Sequence, residues 1–211
     1  MTSRSSSIGG VHGQVLRVDL SEDTSGGWSE PLAPEVFAEV IGGIGLASLL
    51  LLRLCPPGAD PLGPENPLIF ATSPFAGTGI TTSSKIAVAA RSPQTGMIGD
   101  SLSSSYLALE LKRTGHDALA ITGCAPEWSV LVVEDGRCRL QSAHELMGLS
   151  PSETADRLRA ARSRASAATR RGSAARGSRL PRTAIAFSRF APITAPAPVR
   201  PARRPSLAIA A

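Results

Sequence analysis

The sequence predicts an α+β domain in which mixed β-sheets pack against helices in a sandwich-like arrangement. Segments of strand length are interleaved with helical segments, and some neighbouring strands are joined by tight turns rather than by helices. The chain has 211 residues, of which 42% are hydrophobic. This is enough for one domain with its own core. No internal repeat is visible in the sequence.

The first part of the chain is predicted to contain two strands followed by two helices. A strand is predicted over residues 13–20, and Gly26-Gly27-Trp28 marks the turn into a second, short strand. One helix is predicted over residues 34–41, where Gly42-Gly43 stops it. A buried helix is predicted over residues 45–54, and a proline-rich loop follows it.

The middle of the chain is predicted as two strands, a series of turns and a helix. The strands are residues 68–72 and 86–90, separated by a loop of small residues over 73–84. Turns are predicted at Thr95-Gly96 and Gly99-Asp100-Ser101, followed by a helix over residues 103–114. Two glycine-bearing turns beside a helix start predict backbone N–H groups placed for a phosphate-bearing ligand.

The following segment is predicted to return to strands. Residues 117–122 and 129–133 are predicted strands, and Asp135-Gly136 gives a hairpin turn into a strand over residues 137–140. Ser150-Pro151-Ser152-Glu153 has the pattern of a capping box, so it predicts the start of a last helix.

Charge divides the chain into two parts, residues 1–160 and 161–211. The first part holds 11 Lys and Arg against all 17 Asp and Glu, whereas the second holds 11 Arg and no acid. We predict an incomplete, truncated domain over residues 1–160. Residues 161–211, rich in Ala, Arg and Pro, are predicted to be a disordered tail. The sudden loss of acids also suggests that the tail is read in a shifted frame or is a degenerate gene end.

Cysteine usage and hydropathy predict a cytoplasmic protein. Cys55, Cys124 and Cys138 form no Cys-x-x-Cys pair, so the sequence offers no metal-ligand spacing and we expect reduced thiols. The first ten residues lack the apolar stretch of a secretory signal. The most apolar run, residues 44–54, is too short to span a bilayer. We therefore expect no membrane association.

Two glycine pairs suggest nucleotide-binding motifs, but neither has the neighbouring sequence that such a motif requires. Gly43-x-Gly45 lies between two helical segments rather than after a strand, where a dinucleotide fingerprint belongs. Gly77-x-Gly79 lacks the Gly-Lys-Ser/Thr ending of a phosphate-binding loop. What remains is a loop of small residues that leads to the cation of Lys85.

The three histidines are expected to be structural or exposed, because no pair of them has metal-ligand spacing. His116 follows a predicted helix end, where the helix dipole favours the charged imidazolium. Asp100 stands in a predicted turn before a helix, where an aspartate commonly caps the turn.

Several blocks of residues together resemble one protein family. In chain order they are GQVLRVDL from residue 13, IGGIGLA from 41, DPL from 60, PEN from 64, LIFAT from 68, TSSK from 82, RSP from 91, GDS from 99 and LKRTGHDA from 111. As an ordered set, they resemble the N-terminal domain of the tungsten-containing aldehyde ferredoxin oxidoreductases. The resemblance covers about residues 10–160.

The resemblance implies a metallopterin-dependent oxidoreductase. In the family, this domain is the base for a bis-pterin cofactor of tungsten (or molybdenum), whose phosphates are bridged by magnesium. Later domains supply cysteines for a [4Fe-4S] cluster, and the full enzyme oxidises an aldehyde and passes electrons to ferredoxin. The cluster-bearing segments do not follow here, so we expect the chain alone to be inactive. A homodimer is left open.

By position, the resemblance implies six cofactor-binding residues: Lys85, Asp100, Ser101, Leu102, Ser104 and Ser105. Lys85 stands where the family has an arginine, so the charge is kept but the planar fork is lost. Leu102 replaces an asparagine, and the resemblance implies that its backbone carbonyl binds magnesium. Ser104 and Ser105 replace glycines.

Two other hypotheses require no enzyme. In the first hypothesis, the chain is a non-enzymatic binding module whose basic tail docks on an acidic partner or nucleic acid. The aromatic residues of the tail are Phe187 and Phe190 alone, and no nucleic-acid-binding motif accompanies them, so we do not expect a specific nucleic-acid reader. In the other hypothesis, the chain is a pseudogene product.

Overall fold

A six-stranded mixed sheet forms the centre of the molecule. The computed structural model describes residues 9–21, 27–104, 106–134, 137–150, 152–161, 186–188 and 209–210. The strands are β1 (Gln14–Asp19), β2 (Trp28–Pro31), β3 (Leu68–Thr72), β4 (Lys85–Arg91), β5 (Ile98–Ser104), β6 (Ala118–Thr122), β7 (Ser129–Glu134), β8 (Arg137–Ser142), β9 (Ala186–Ser188) and β10 (Ile209–Ala210). The helices are α1 (Pro34–Val40), α2 (Gly43–Leu54), α3 (Tyr106–Arg113) and α4 (residues 152–161), with a 3₁₀ turn at His144–Leu146.

The central sheet has the strand order β2-β1-β6-β3-β4-β5. β1 and β6 run parallel, and the other neighbouring pairs in this sheet are antiparallel. A second, antiparallel sheet has the order β10-β9-β7-β8. This combination of mixed sheets and helices confirms the predicted α+β class. β5 lies at one edge of the central sheet, with no strand of the described residues beyond it.

Three hydrophobic clusters join these layers. In the first, Phe70 and Leu119 of the central sheet share a core with Leu131 and Val133 of the second sheet and Leu107 of α3. In the second, α1 and α2 cover the other face of the central sheet. A small third cluster covers the outer face of the second sheet. Two sheets that share one core form the sandwich that the sequence predicts.

Helices α1 and α2 meet at a bend of 118°. Gly42 at this bend has φ 149°, and a Cβ there would lie 2.9 Å from Pro74 Cδ and 3.0 Å from the Thr72 carbonyl oxygen. The predicted helix stop is therefore confirmed, although α2 begins at Gly43 rather than at residue 45. Among the described residues, no single helix is long and apolar enough to cross a bilayer. The bent pair α1 and α2 reaches that length and apolarity only in combination, and its buried side chains lie in the second cluster.

The prediction of a turn at Gly99-Asp100-Ser101 followed by a helix from residue 103 is wrong. All of these residues belong to strand β5, which pairs with β4 from Arg91↔Ile98 to Lys85↔Ser104. Helix α3 begins only at Tyr106. Glycine and aspartate have low strand propensity, but pairing with a long neighbouring strand outweighs that local preference. Asp100 accordingly lies within a strand and caps no turn.

The last described segments extend the second sheet. The predicted hairpin is confirmed by the pairing of β7 with β8; its turn residues lie outside the described part. The capping box before α4 is also confirmed, because Ser150 N–H donates to Glu153 Oε2 over 2.8 Å and Glu153 N–H donates to Ser150 Oγ over 3.3 Å. The Ser150 hydroxyl also donates to Glu153 Oε2 over 2.6 Å, and the hydrogen bonds from this hydroxyl and from the Ser150 N–H lower the pKa of Glu153. In the tail, β9 pairs with β7 and β10 pairs with β9, so the expected lack of structure does not extend to these two strands.

Candidate functional site

Strand register brings four of the six predicted site residues onto one face of the sheet. Lys85 of β4 lies opposite Ser104 of β5, and Leu102 and Asp100 lie opposite Ala87 and Ala89. Residues directly opposite each other in an antiparallel pair point to the same face, and so do alternate residues of one strand. Ala87 and Ala89 are buried beneath α2. All four predicted residues are exposed and lie toward the rim of that same face.

The main-chain groups of three of these residues point away from the sheet. Ser92 N–H donates to the Met97 carbonyl and the Ser92 carbonyl accepts from Gly96 N–H, each over 2.8 Å, so Ser92 stands at a hydrogen-bonded position of the ladder. In an antiparallel ladder, such positions alternate with positions whose N–H and C=O groups point outward. Counted along the register, the outward positions of β5 include Asp100, Leu102 and Ser104. We call this row, together with Lys85, the β5 edge.

The remaining two predicted residues do not join the β5 edge. Ser101 lies opposite Val88, so its side chain is on the face of α3 and its main chain takes part in the ladder. Ser105 lies outside the described residues. No contact described in the structure tests a binding role for any of the six, and these roles stay predictions.

A loop of small residues leads into the β5 edge. Residues 73–84 join β3 to β4, and two of their apolar side chains, Phe75 and Ile80, are each 54% exposed. Pro74 at the start of the loop packs against Gly10, where a Cβ would lie only 2.2 Å from the Pro74 carbonyl oxygen. The loop therefore starts from a fixed position, leaves these two apolar side chains exposed and ends directly before Lys85.

The Thr95-Gly96 turn lies at the opposite end of β4 from Lys85. β4 has seven residues, which separates its ends by about 20 Å. Arg91 at the far end donates from Nε to the Gly96 carbonyl over 3.0 Å and from Nη1 to the Ala59 carbonyl over 2.8 Å. Asn66 pairs with both main-chain groups of Arg91 over 3.0 Å. The predicted position of this turn beside a helix start is therefore wrong, because α3 begins after the far end of β5, and Arg91 holds the turn instead.

His116 is buried, 4% exposed, at the end of β2 and α3. The Thr114 hydroxyl donates to the Leu111 carbonyl over 2.6 Å, so toward His116 Nδ1, 2.9 Å away, it accepts. That assignment leaves Nε2 to accept from the Ser29 hydroxyl over 2.7 Å. Burial lowers the pKa of His116 below 6.5, opposed in part by a hydrogen bond to the main chain of Thr114. The expectation of an imidazolium favoured by the helix dipole is thus corrected, because loss of hydration outweighs the dipole.

The lowered pKa of His116 predicts that acid destabilises the fold. Below pH 6.5, the unfolded chain binds a proton at this imidazole that the folded chain does not, so the free energy of unfolding falls as the pH falls from 6.5 toward the folded-state pKa. Urea unfolding at pH 7.5 and 5.5 measures the effect. H116Q is expected to show a smaller difference between the two pH values, whereas H144Q, at an exposed site, should match the unmodified chain. Equal pH dependence in all three proteins would contradict the prediction.

The three cysteines are free and lie in different surroundings. Cys138 is 1% exposed in the first cluster, whereas Cys55 and Cys124 are partly exposed. Burial raises the pKa of the Cys138 thiol, opposed by a hydrogen bond from the Gly27 main chain. In the described part of the chain, no three His, Cys, Asp or Glu residues cluster as metal ligands would.

Thiol reactivity is expected to separate these cysteines. Cys55 and Cys124 should react with Ellman's reagent in the native protein, and Cys138 only after unfolding, because thiolate character and access both control the reaction. The absorbance released with and without guanidinium measures the two groups. Three equivalents released at once from native protein would contradict the assignment.

Comparison with known proteins decides the family of this domain. A family model described as the N-terminal domain of aldehyde ferredoxin oxidoreductase matches residues 15–188. The chain belongs to the aldehyde ferredoxin oxidoreductase family. The match runs past residue 160, the predicted domain boundary, to the last residue of β9.

Individual relatives and a solved structure are also similar to this domain. The tungsten-containing aldehyde ferredoxin oxidoreductase of Thermococcus kodakarensis is 38% identical over 145 residues, which are 69% of this chain and 24% of that protein. An aliphatic sulfonate oxidoreductase, WOR-like subunit, of Pyrococcus furiosus is 30% identical over 67% of this chain and 23% of that protein. The active-site complex BamBC of benzoyl coenzyme A reductase, solved with 1,5-dienoyl-CoA, has a TM-score of 0.64 and 31% identity over 71% of this chain and 22% of that one. The chain spans about a quarter of the length of these curated relatives.

One buried ion pair of this aldehyde ferredoxin oxidoreductase domain was not predicted. Lys112 and Asp117, 7% and 1% exposed, form a salt bridge inside the block that starts at residue 111. The Asp117 carboxylate also accepts from the main-chain N–H groups of residues 12–14. A signal was present in the sequence, since a lysine and an aspartate flank Gly115, which turns the chain back at φ 84°.

Proposed function

We propose that this chain is the metallopterin-binding N-terminal part of an oxidoreductase that converts an aldehyde to a carboxylate. In this proposal, the electrons pass to ferredoxin through a [4Fe-4S] cluster held by the rest of the enzyme. The family match over residues 15–188 carries the proposal, and the name of the tungsten-containing relative supports the metal. When bound, the tungsten or molybdenum pterin supplies the redox chemistry, while the protein binds and orients it.

The β5 edge has the groups that this cofactor requires. Lys85 is exposed and presents a cation to a pterin phosphate as a point charge. The Leu102 carbonyl points outward, and oxygen atoms are the ligands that magnesium prefers. Asp100 on the same face contributes a carboxylate, and Ser104 is small enough for a ligand to approach closely.

Surrounding residues fit a flat ligand beside these polar groups. Phe75 and Ile80 of the 73–84 loop and Leu102 itself, 64% exposed, offer apolar surface. Large exposed apolar side chains are typical of a surface that another molecule covers. Ser101 and Ser105 stay in the proposal as predicted contacts only.

The chain alone is proposed to be inactive, because it spans about a quarter of its relatives. The proposed setting is the cytoplasm, with a second chain or further segment completing the cofactor site. A homodimer remains open in this proposal, and neither a membrane nor nucleic acid takes part in it.

Co-production with a complementary segment tests the proposal. The tagged chain would be produced with the remaining three quarters, roughly, of the Thermococcus kodakarensis relative, in medium containing tungstate or molybdate. Elemental analysis and pterin fluorescence of the purified complex measure the cofactor. We expect metal and pterin together, with the content reduced about tenfold by K85A, since a charge-assisted hydrogen bond is lost. K85R should retain the cofactor, and R53A, at an exposed arginine of α2, serves as the matched control.

Two outcomes would overturn the proposal. One is a soluble complex that contains neither metal nor pterin in either medium. The other is salt-sensitive binding to DNA that disappears when residues 161–211 are removed, without any bound metal, which would favour the basic-tail binding module.

A further inference from the structure

One buried residue, Asp117, makes hydrogen bonds to three separate segments of the chain. We propose that Asp117 is a positioning residue, which fixes the start of the 73–84 loop and thereby the approach to Lys85. The inference deepens the proposed function, because the loop is taken to lie beside the cofactor. It depends on contacts within this chain alone, so it is tested without cofactor.

The Asp117 carboxylate holds the segment that enters β1. Its Oδ2 accepts from the main-chain N–H groups of His12 over 3.0 Å and Gly13 over 2.7 Å. Its Oδ1 accepts from Lys112 Nζ. The carboxylate is 1% exposed, so these donors replace the water that the charge would otherwise bind.

The main chain of Asp117 holds the end of β3. Its carbonyl accepts from Thr72 N–H over 2.8 Å and from the Thr72 hydroxyl over 3.0 Å. Thr72 is the last residue of β3, directly before the 73–84 loop. Asp117 N–H donates to the Gln14 carbonyl over 2.8 Å. One residue thus fixes both the segment entering β1 and the strand end from which the loop departs.

The two segments meet again at Pro74. Gly10 packs on its carbonyl, and Gly42, at the bend between α1 and α2, packs on its ring. Pro74 is therefore enclosed between a segment that the Asp117 carboxylate holds and a helix bend. If the carboxylate no longer held the N–H groups of His12 and Gly13, Gly10 would move and Pro74 would lose its contact on that side.

A carboxylate is required because every group around the Asp117 side chain is a donor. An asparagine has only one acceptor oxygen, and its amide would bring N–H groups toward His12 N–H, Gly13 N–H or the Lys112 ammonium. D117N therefore keeps the shape of the side chain but replaces one acceptor oxygen with an NH₂ group that cannot accept a hydrogen bond. The loop should become mobile even where the protein stays folded.

Backbone order in the loop tests this role. We would measure ¹⁵N relaxation order parameters for residues 75–84 in the unmodified chain, D117N and V133A. V133A is the matched control, because Val133 is 0% exposed between the sheets and its truncation destabilises the core without touching the loop. We expect order near the rigid value of about 0.85 in the unmodified chain and V133A, and below about 0.6 in D117N.

A milder variant decides the case if D117N does not fold. T72V removes only the hydroxyl that donates to the Asp117 carbonyl, and it should lower the loop order parameters partway. Order parameters equal to those of the unmodified chain in D117N, or in T72V where D117N is unfolded, would overturn the proposal. The cofactor-binding experiment above is separate, so either proposal can fail while the other stands.

Discussion

Replacing Lys112 with methionine is expected to destabilise the folded chain by about 3–5 kcal/mol, because it leaves the buried Asp117 carboxylate without its counter-charge. The two side chains are 8% and 1% exposed, so water replaces little of what the ammonium provides. The three main-chain N–H groups of residues 12–14 remain, and they limit the loss but carry no full positive charge. Urea unfolding at pH 7.5 measures the change in the free energy of unfolding.

The only other lysine of the chain gives the matched control. Lys85 is exposed at the start of β4, so K85M should change the free energy of unfolding by no more than about 0.5 kcal/mol. The same chemical change thus has a large effect at one site and almost none at the other. A loss below about 1 kcal/mol for K112M would contradict the prediction, because the folded chain would then not depend on the ion pair between Lys112 and Asp117.

Secondary structure was predictable where the local pattern and the tertiary environment agree. β3 and β4 are apolar segments bounded by turn residues, and both were predicted within about one residue. The end of α1 was predicted because glycine is needed there for a backbone geometry that other residues rarely adopt. In each case a short window of sequence contains the physical cause.

β5 was missed because its cause lies outside its own sequence. Its residues, from Ile98 to Ser104, include a glycine, an aspartate and three serines, which are typical of turns. They form a strand because β4 offers seven consecutive partners and the hairpin turn sets the register. No local window contains that information.

The candidate site was predictable in identity but not in geometry. The resemblance selected Lys85 and Leu102 by position, and the register then placed both on one face. The Leu102 main chain points outward because inward and outward positions alternate along β5, counted from the hydrogen bond between Ser92 and Met97. A register one residue different would turn it inward.

Phe70→Ala is expected to be the second strongly destabilising change, at about 3–5 kcal/mol. Phe70 is 0% exposed on β3, a central strand, and lies opposite Val88 and Leu119 in the core shared by both sheets. Truncating it removes buried apolar surface and leaves a cavity that strands on both sides prevent from collapsing. Since small domains are stable by only about 5–15 kcal/mol, such a loss is a large share of the total.

Replacing Phe75 distinguishes a loss of core packing from a loss of cofactor binding at the proposed surface. It is 54% exposed in the 73–84 loop, so F75A should cost less than about 1 kcal/mol in the same urea titration. If the loop lies beside the cofactor, F75A should instead lower the pterin content of the co-produced complex while stability is preserved. Equal destabilisation by F70A and F75A would contradict the layer assignment, because it would require the loop phenylalanine to be as well packed as the one between the sheets.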